Sequence, residues 1–183
     1  MNAKRFWMPI AALTLGALVM SGCGAQKYEA RPINEAVDIC AVCNMQVKDD
    51  AFATQLTMAD GKNYKFDDIG CMEQWEREHE KEKLGMDFVR DYNDKTWIER
   101  DKATYVHDAS IRTPMAYGVI SFKDKTSAEE FVAKEGAGKI MSASELENHD
   151  WKQNKDMMMQ HGEGGAEGMK GMGGHQQEQS DHK

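Results

Sequence analysis

Apolar and polar side chains alternate over residues 51–58, with Phe52, Thr54, Leu56 and Met58 on one side, a period of two that predicts a strand. Asp60-Gly61 follows as a strong hairpin signal, and residues 62–66 read as the returning strand. The period then lengthens. Met72, Trp75 and His79 recur at helical spacing behind Asp67-Asp68, a pair of acids suited to capping free backbone amides at a helix start. This pattern predicts a helix from about residue 69 to 83, a stop at Gly85 and a third strand over 88–92.

The second half runs through the same order. Residues 96–107 read as one strand carrying Trp97, Ala103, Tyr105 and His107, and 112–118 as a loop. Residues 118–123 form the next expected strand, and Asp124 caps a helix over 127–135 with Phe131 and Val132 facing inward. Gly136 and Gly138 end that helix, 139–141 is a short strand, and Ser142 opens a last helical turn reaching towards Trp151. The halves align at an offset of 56 positions, which pairs Phe66 with Phe122, Asp68 with Asp124, Glu73 with Glu129 and Trp75 with Phe131. The expected fold class is therefore α+β: two related ββαβ units, residues 39–93 and 94–152. Units of this size bury little core alone, so they are expected to pack as one globule, through a shared sheet or facing helices.

The ends depart from this pattern. Lys4 and Arg5 precede an apolar run of 15 residues, 6–20, short for a membrane span, and Ser21-Gly22-Cys23 follows. That is the order of a bacterial lipoprotein signal, so residues 1–22 are expected to be removed and Cys23 to carry lipid. Gly24 lacks the Asp that signals inner-membrane retention, and the expected location is the periplasmic side of the envelope, at the outer membrane. Residues 23–38, with Pro32 and Asn34, read as a tether. Residues 153–183 hold Met157, Met158, Met159, Met169 and Met172 with His161, His175 and His182 among glycines and glutamines, and are expected to be a disordered metal-capturing tail.

Charge narrows the partners. The chain carries −8, and −10 without residues 1–22, which argues against nucleic acid and anionic lipid as partners and suits cations or a basic protein, although acidic surfaces also serve solubility alone. Export implies an oxidising compartment, where three thiols, Cys40, Cys43 and Cys71, cannot all pair. Eleven of 14 methionines lie beyond residue 22, an oxidation liability unless thioethers have a role.

Cys40-Ala41-Val42-Cys43-Asn44-Met45 sets two thiols three positions apart with a thioether two further on. Two such sulfurs can reach one metal, and a thioether suits Cu(I) while adding little for zinc. Cys71 lies at the expected helix start, which favours thiolate. Met72 falls in the helical core pattern, whereas Met115, behind Pro114 in a loop, does not. His107 ends a strand, and His79 and His149 read as solvated helix positions. Competing readings are a structural disulfide or zinc knuckle, and a thiol–disulfide pair in Cys40/Cys43, although the latter motif normally opens a helix after a strand. No nucleophile–base pair, phosphate loop or paired carboxylate stands out, so no turnover chemistry is expected and the chain is read as a binding protein.

The lipoprotein signal, Cys40-Ala41-Val42-Cys43-Asn44-Met45, Asp60-Gly61, Phe66-Asp67-Asp68-Ile69-Gly70-Cys71-Met72 and Pro114-Met115-Ala116-Tyr117-Gly118 occur in that order. Together they resemble the NosL family of copper-binding lipoproteins that accompany nitrous oxide reductase, over about residues 23–146. The resemblance implies two homologous ββαβ units distantly similar to organomercurial lyase. It implies Cu(I) delivery to the membrane transporter and periplasmic component that mature the reductase. It makes Cys43, Met45 and Met115 the ligand positions that match best, with Cys40, Cys71 and His107 as further candidates. Asn44 and Ala116 stand where glycine is usual, departures expected to alter loop conformation rather than ligand type. The Cys/Met pattern also weakly resembles treble-clef modules, which keeps a zinc-stabilised interaction module open.

Overall fold

The computed structural model describes residues 27–157. The signal, Cys23 and all but the first residues of the Met/His tail lie outside them. Strands β1 (Thr54–Met58) and β2 (Asn63–Phe66) form the expected hairpin, closed by Gly61 in the left-handed region at φ 88°. Helix α1 (Ile69–Glu78) begins at Asp68, whose carboxylate accepts from the Gly70 amide, and strands β3 (Leu84–Arg90) and β4 (Trp97–Glu99) complete a sheet ordered β2-β1-β3-β4. In the second half β5 (Thr104–His107), β6 (Val119–Phe122), α2 (Lys125–Glu135) and β7 (Lys139–Ser142) form a sheet ordered β6-β5-β7, followed by the single turn α3 (Ala143–Leu146). Every pairing is antiparallel. In both halves the first strand is central, the second and third flank it, and the helix links those two. The duplicated order read from the sequence is thus present, as two separate sheets rather than one shared sheet.

Three boundaries differ from expectation, each for an identifiable physical reason. Helix α1 ends at Glu78, where the His79 amide reaches the Trp75 and Glu76 carbonyls, and Gly85 lies inside β3 instead of stopping the helix. A Cβ on Gly85 would sit 2.5 Å from the Tyr28 ring and 2.8 Å from the Thr57 carbonyl, so glycine serves close packing there. The single strand expected over 96–107 is broken by a 3-10 turn at Arg100–Lys102, and β4 joins the first sheet, beyond residue 93. The break turns Arg100 inward, where its guanidinium lies 2.6 Å from Glu73, 3.5 Å from Glu76 and 3.4 Å from Asp87.

The expected tether is docked along residues 28–38. The Arg31 amide donates to the Gln55 side chain at 2.8 Å, and Gln55 Nε2 donates back to the Arg31 carbonyl at 2.8 Å. Lys65 donates to the Pro32 carbonyl and pairs with Asp38. Gln55 is fully buried in β1, so its amide needs such partners. This cover also explains why all five β1 residues are buried although their sequence alternates.

Besides the β3–β4 pairing and the Arg100 ion pairs, hydrogen bonds and close packing stitch the units at two further places. The Tyr92 amide donates to the Ser121 carbonyl, the Ser121 hydroxyl to the Arg90 carbonyl, and the Lys123 amide to buried Asp91. At the other place the Met115 amide donates to Asp68 Oδ2 at 2.9 Å, and Gly70 faces the Tyr117 ring so closely that a Cβ would lie 2.1 Å from it. The larger core gathers Cys40, Leu56, Phe66, Cys71, Met72 and Tyr105 among others, and a smaller one holds Val106, Ile120, Phe122 and Ala128.

Candidate metal centre

The Cys40–Met45 segment is a tight loop. An Ile39–Gln46 bridge closes it, the Cys40 amide donates to the Met45 carbonyl, and the Asn44 amide donates back to the Cys40 carbonyl. Asn44 sits at φ 61°. Asparagine tolerates this left-handed geometry better than most residues, so the loop keeps a glycine-like path without glycine. Ala116, at φ 56°, does the same in the Met115 loop. The two departures from glycine therefore leave left-handed backbone in place; alanine carries the larger strain.

The loop carries its thiols to the start of α1. One ligand atom from each of Cys40, Cys43, Cys71 and Asp67 lies within 4.8 Å of the other three. Cys40 and Cys71 are each 1 % exposed, Asp67 is buried and Cys43 half-buried, and all three cysteines are free thiols. Cys43 Sγ donates to Asp67 at 3.2 and 3.3 Å.

Asp67 was read from the sequence as part of a cap, and the structure separates the two acids. Asp68 caps α1 and holds the Met115 loop, while Asp67 faces the thiols. One N-cap position accommodates one residue, so the second acid of the pair was the available signal.

The thiols and Asp67 perturb one another. Cys71 donates to Cys40, which draws the Cys40 thiol well below the ordinary range and pushes Cys71 far above it. Burial raises Cys43 to about 12. Burial first, and then the Cys40 sulfur, raise Asp67 to about 6. Three soft sulfurs and a carboxylate are thus gathered in a low-dielectric site, a donor set that fits a bound metal cation.

The methionines occupy its margin. Met45 is 51 % exposed and lines a cavity of ≈ 440 Å³ with Asp67, Arg112, Thr113 and Pro114. Met115, partly buried, packs against the core cluster that contains Cys40 and Cys71. Met72 is fully buried in that core, as its helical spacing indicates. His107 is elsewhere. It lies outside the thiol–carboxylate group, at the end of β5, with its ring centre 4.4 Å from that of His149. His149 is likewise not a helix-face residue, because it lies beyond α3, which ends at Leu146. His79 stacks on Trp75 at 3.9 Å rather than standing free in solvent.

A family model described as NosL matches residues 33–151. Among solved structures, the copper chaperone NosL from Shewanella denitrificans is similar at a TM-score of 0.55 and 19 % identity, covering 64 % of this chain and 94 % of that one. At that identity the likeness speaks for the fold. No curated protein matches significantly.

Proposed function

The chain belongs to the NosL family, and from that premise we propose that it is an envelope metallochaperone that binds Cu(I) and hands it on. The observation that carries the reading is the gathering of Cys40, Cys43, Cys71 and Asp67 within 4.8 Å. Thiolates are soft ligands that select Cu(I), and two or three of them satisfy its low coordination number. Buried Cys40 and Cys71 give retention, while half-buried Cys43 opens the site to solvent. Exposed Met45, and Met115 from the opposite unit, are the neutral thioethers placed to receive the ion as it leaves a thiolate. His107 takes no part in this site.

The recipient in this reading is the transporter and periplasmic component that mature nitrous oxide reductase, with the protein held at the outer membrane by lipid on Cys23. Family membership supports it. Loss of this chain should leave the reductase short of copper, and a C23S chain should be released from membranes; full copper loading without the chain would overturn the assignment.

A second reading has one specific support. Asp67 supplies the oxygen that would turn three thiolates into a tetrahedral Cys3Asp zinc site. Competition of the reduced protein against a Cu(I) chelator, run beside a Zn(II) titration, decides between them: failure to compete for Cu(I) with tight zinc retention overturns the chaperone. A thiol–disulfide role fits less well. The accessible thiol, Cys43, is the one held protonated, and the thiol that ionises readily, Cys40, is buried.

A further inference from the structure

His107 and His149, set aside by the thiol site, form a feature of their own. One ends β5 and the other follows α3, and their rings meet edge to face with centres 4.4 Å apart. They line an open cavity of ≈ 480 Å³ together with Asp150, Asn154, Ala116 and Tyr117. The cavity is built by long-range bonds. The Asn154 amide donates to the Ala116 carbonyl at 2.9 Å, and its side chain donates to the Ala109 carbonyl at 2.9 Å. Trp151 packs edge-on against His149 at 5.0 Å, and its buried indole N–H has no hydrogen-bond partner among the described residues.

Burial lowers the pKa of both imidazoles, and each is opposed by a neighbouring acid, Asp108 for His107 and Asp150 for His149. Lys139 lowers both, and His107 further lowers His149. Each neutral ring keeps one unprotonated nitrogen, and both rings line the same cavity. Rings at this separation are close enough for one nitrogen of each to serve a shared ion with bonds of about 2.0 Å.

We propose that His107 and His149 form a second metal site, distinct from the sulfur site, for a borderline divalent cation of the Cu(II) or Zn(II) class. Imidazole nitrogen with carboxylate or water completing the sphere is the donor set such ions prefer, and it offers a soft monovalent ion nothing that three thiolates do not offer better. Asp150 stands at the cavity wall, paired with Lys152. The site also adjoins the sulfur site through one loop. Ala116 and Tyr117 line the histidine cavity, while the Met115 amide is bonded to Asp68 and Tyr117 covers Gly70 at the start of α1. The chain therefore carries two sites of different hardness on either side of residues 113–118.

The test uses the full chain with its four cysteines replaced by serine and His161, His175 and His182 replaced by glutamine, which removes the competing ligands. Titration with Zn(II), read by the ring nitrogen resonances of the histidines, should shift His107 and His149 together at one equivalent and leave His79 unmoved. H149A should weaken Zn(II) binding at least tenfold and abolish the shift at His107. A chain in which neither ring moves, or in which H107A/H149A binds Zn(II) within twofold of its parent, overturns the proposal. If serine at buried Cys40 and Cys71 unfolds the protein by circular dichroism, the cysteine-containing chain preloaded with Cu(I) is titrated instead, with the same outcomes. In that chain H149A should leave Cu(I) affinity unchanged, so failure at the histidines is separable from failure at the thiols.

Discussion

The two ββαβ units share a scaffold and differ at the residues that can hold a metal. Phe66 and Phe122 are both fully buried, and Asp68 and Asp124 both cap the helix that follows. At the same offset, however, Asp67 faces thiols where Lys123 pairs with Asp94, and Cys71 is buried where Ser127 bonds back to its own cap. Asp68 is 1 % exposed and spends its second oxygen on the Met115 amide from the opposite unit, whereas Asp124 is exposed and serves only its own helix. The common positions are those that the strand–cap–helix geometry requires. The divergent ones lie just before the cap and in the first helical turn, where a side chain can change without disturbing the fold. One unit has become a donor cluster and the other its support.

The sharpest break in that comparison is C43S. It removes a candidate donor that only the first unit has, and Cu(I) affinity in chelator competition should fall by more than the roughly 10–100-fold that follows loss of an outer-shell partner. The reciprocal S127C should create no tight site, because the second unit has no counterpart to the Cys40–Met45 loop.

Next in size is the pH response of the metal-free protein. Asp67, at about 6, and Glu76, at about 7, both lie above their unfolded values of 3.8 and 4.5. A carboxyl raised on folding contributes stability that is fully present below its unfolded pKa and is lost as pH rises through the folded one. The Asp67 share, up to about 3 kcal/mol, should therefore disappear between pH 4 and pH 6. Cys40, whose pKa is lowered, acts in the opposite sense. Chemical denaturation of D67N beside the parent across this range isolates the Asp67 share, and K123Q should show none of it. A D67N profile that parallels the parent's would mean Asp67 is not the buried acid described.

G70A should destabilise by about 1–3 kcal/mol, because its Cβ would overlap the Tyr117 ring that joins the units. T126A, at the matching exposed position of α2, should stay within about 0.5 kcal/mol in urea unfolding. The smallest effect is A116G. Relief of left-handed strain, about 1–2 kcal/mol, is partly cancelled by glycine's greater unfolded entropy, so a net gain of up to about 1 kcal/mol is expected. A loss of stability would show that the Ala116 methyl packs better than its strain costs.

The hydropathy periods, the Asp60-Gly61 turn, the aspartate caps, the duplication and the Cys40/Cys43 pair were all legible in the sequence. Each is set by interactions within a few residues: a backbone turn, a cap reaching two or three amides ahead, an alternation that buries one face. What required the tertiary structure was assembly across the chain. Asp67 joins Cys43 over 24 positions, Asp68 holds Met115 over 47, and Arg31 meets Gln55 over 24. The sequence marked two adjacent acids and could not tell which one capped. It marked His107 as a ligand candidate and could not show that β5 carries it to His149 and away from the sulfurs. It read residues 23–38 as a tether because their composition is loop-like, although Gln55, buried in the neighbouring strand, needed the Arg31 backbone. The donors were thus named by local chemistry, and their division into a sulfur site and a histidine cavity was decided by how two similar units pack against each other.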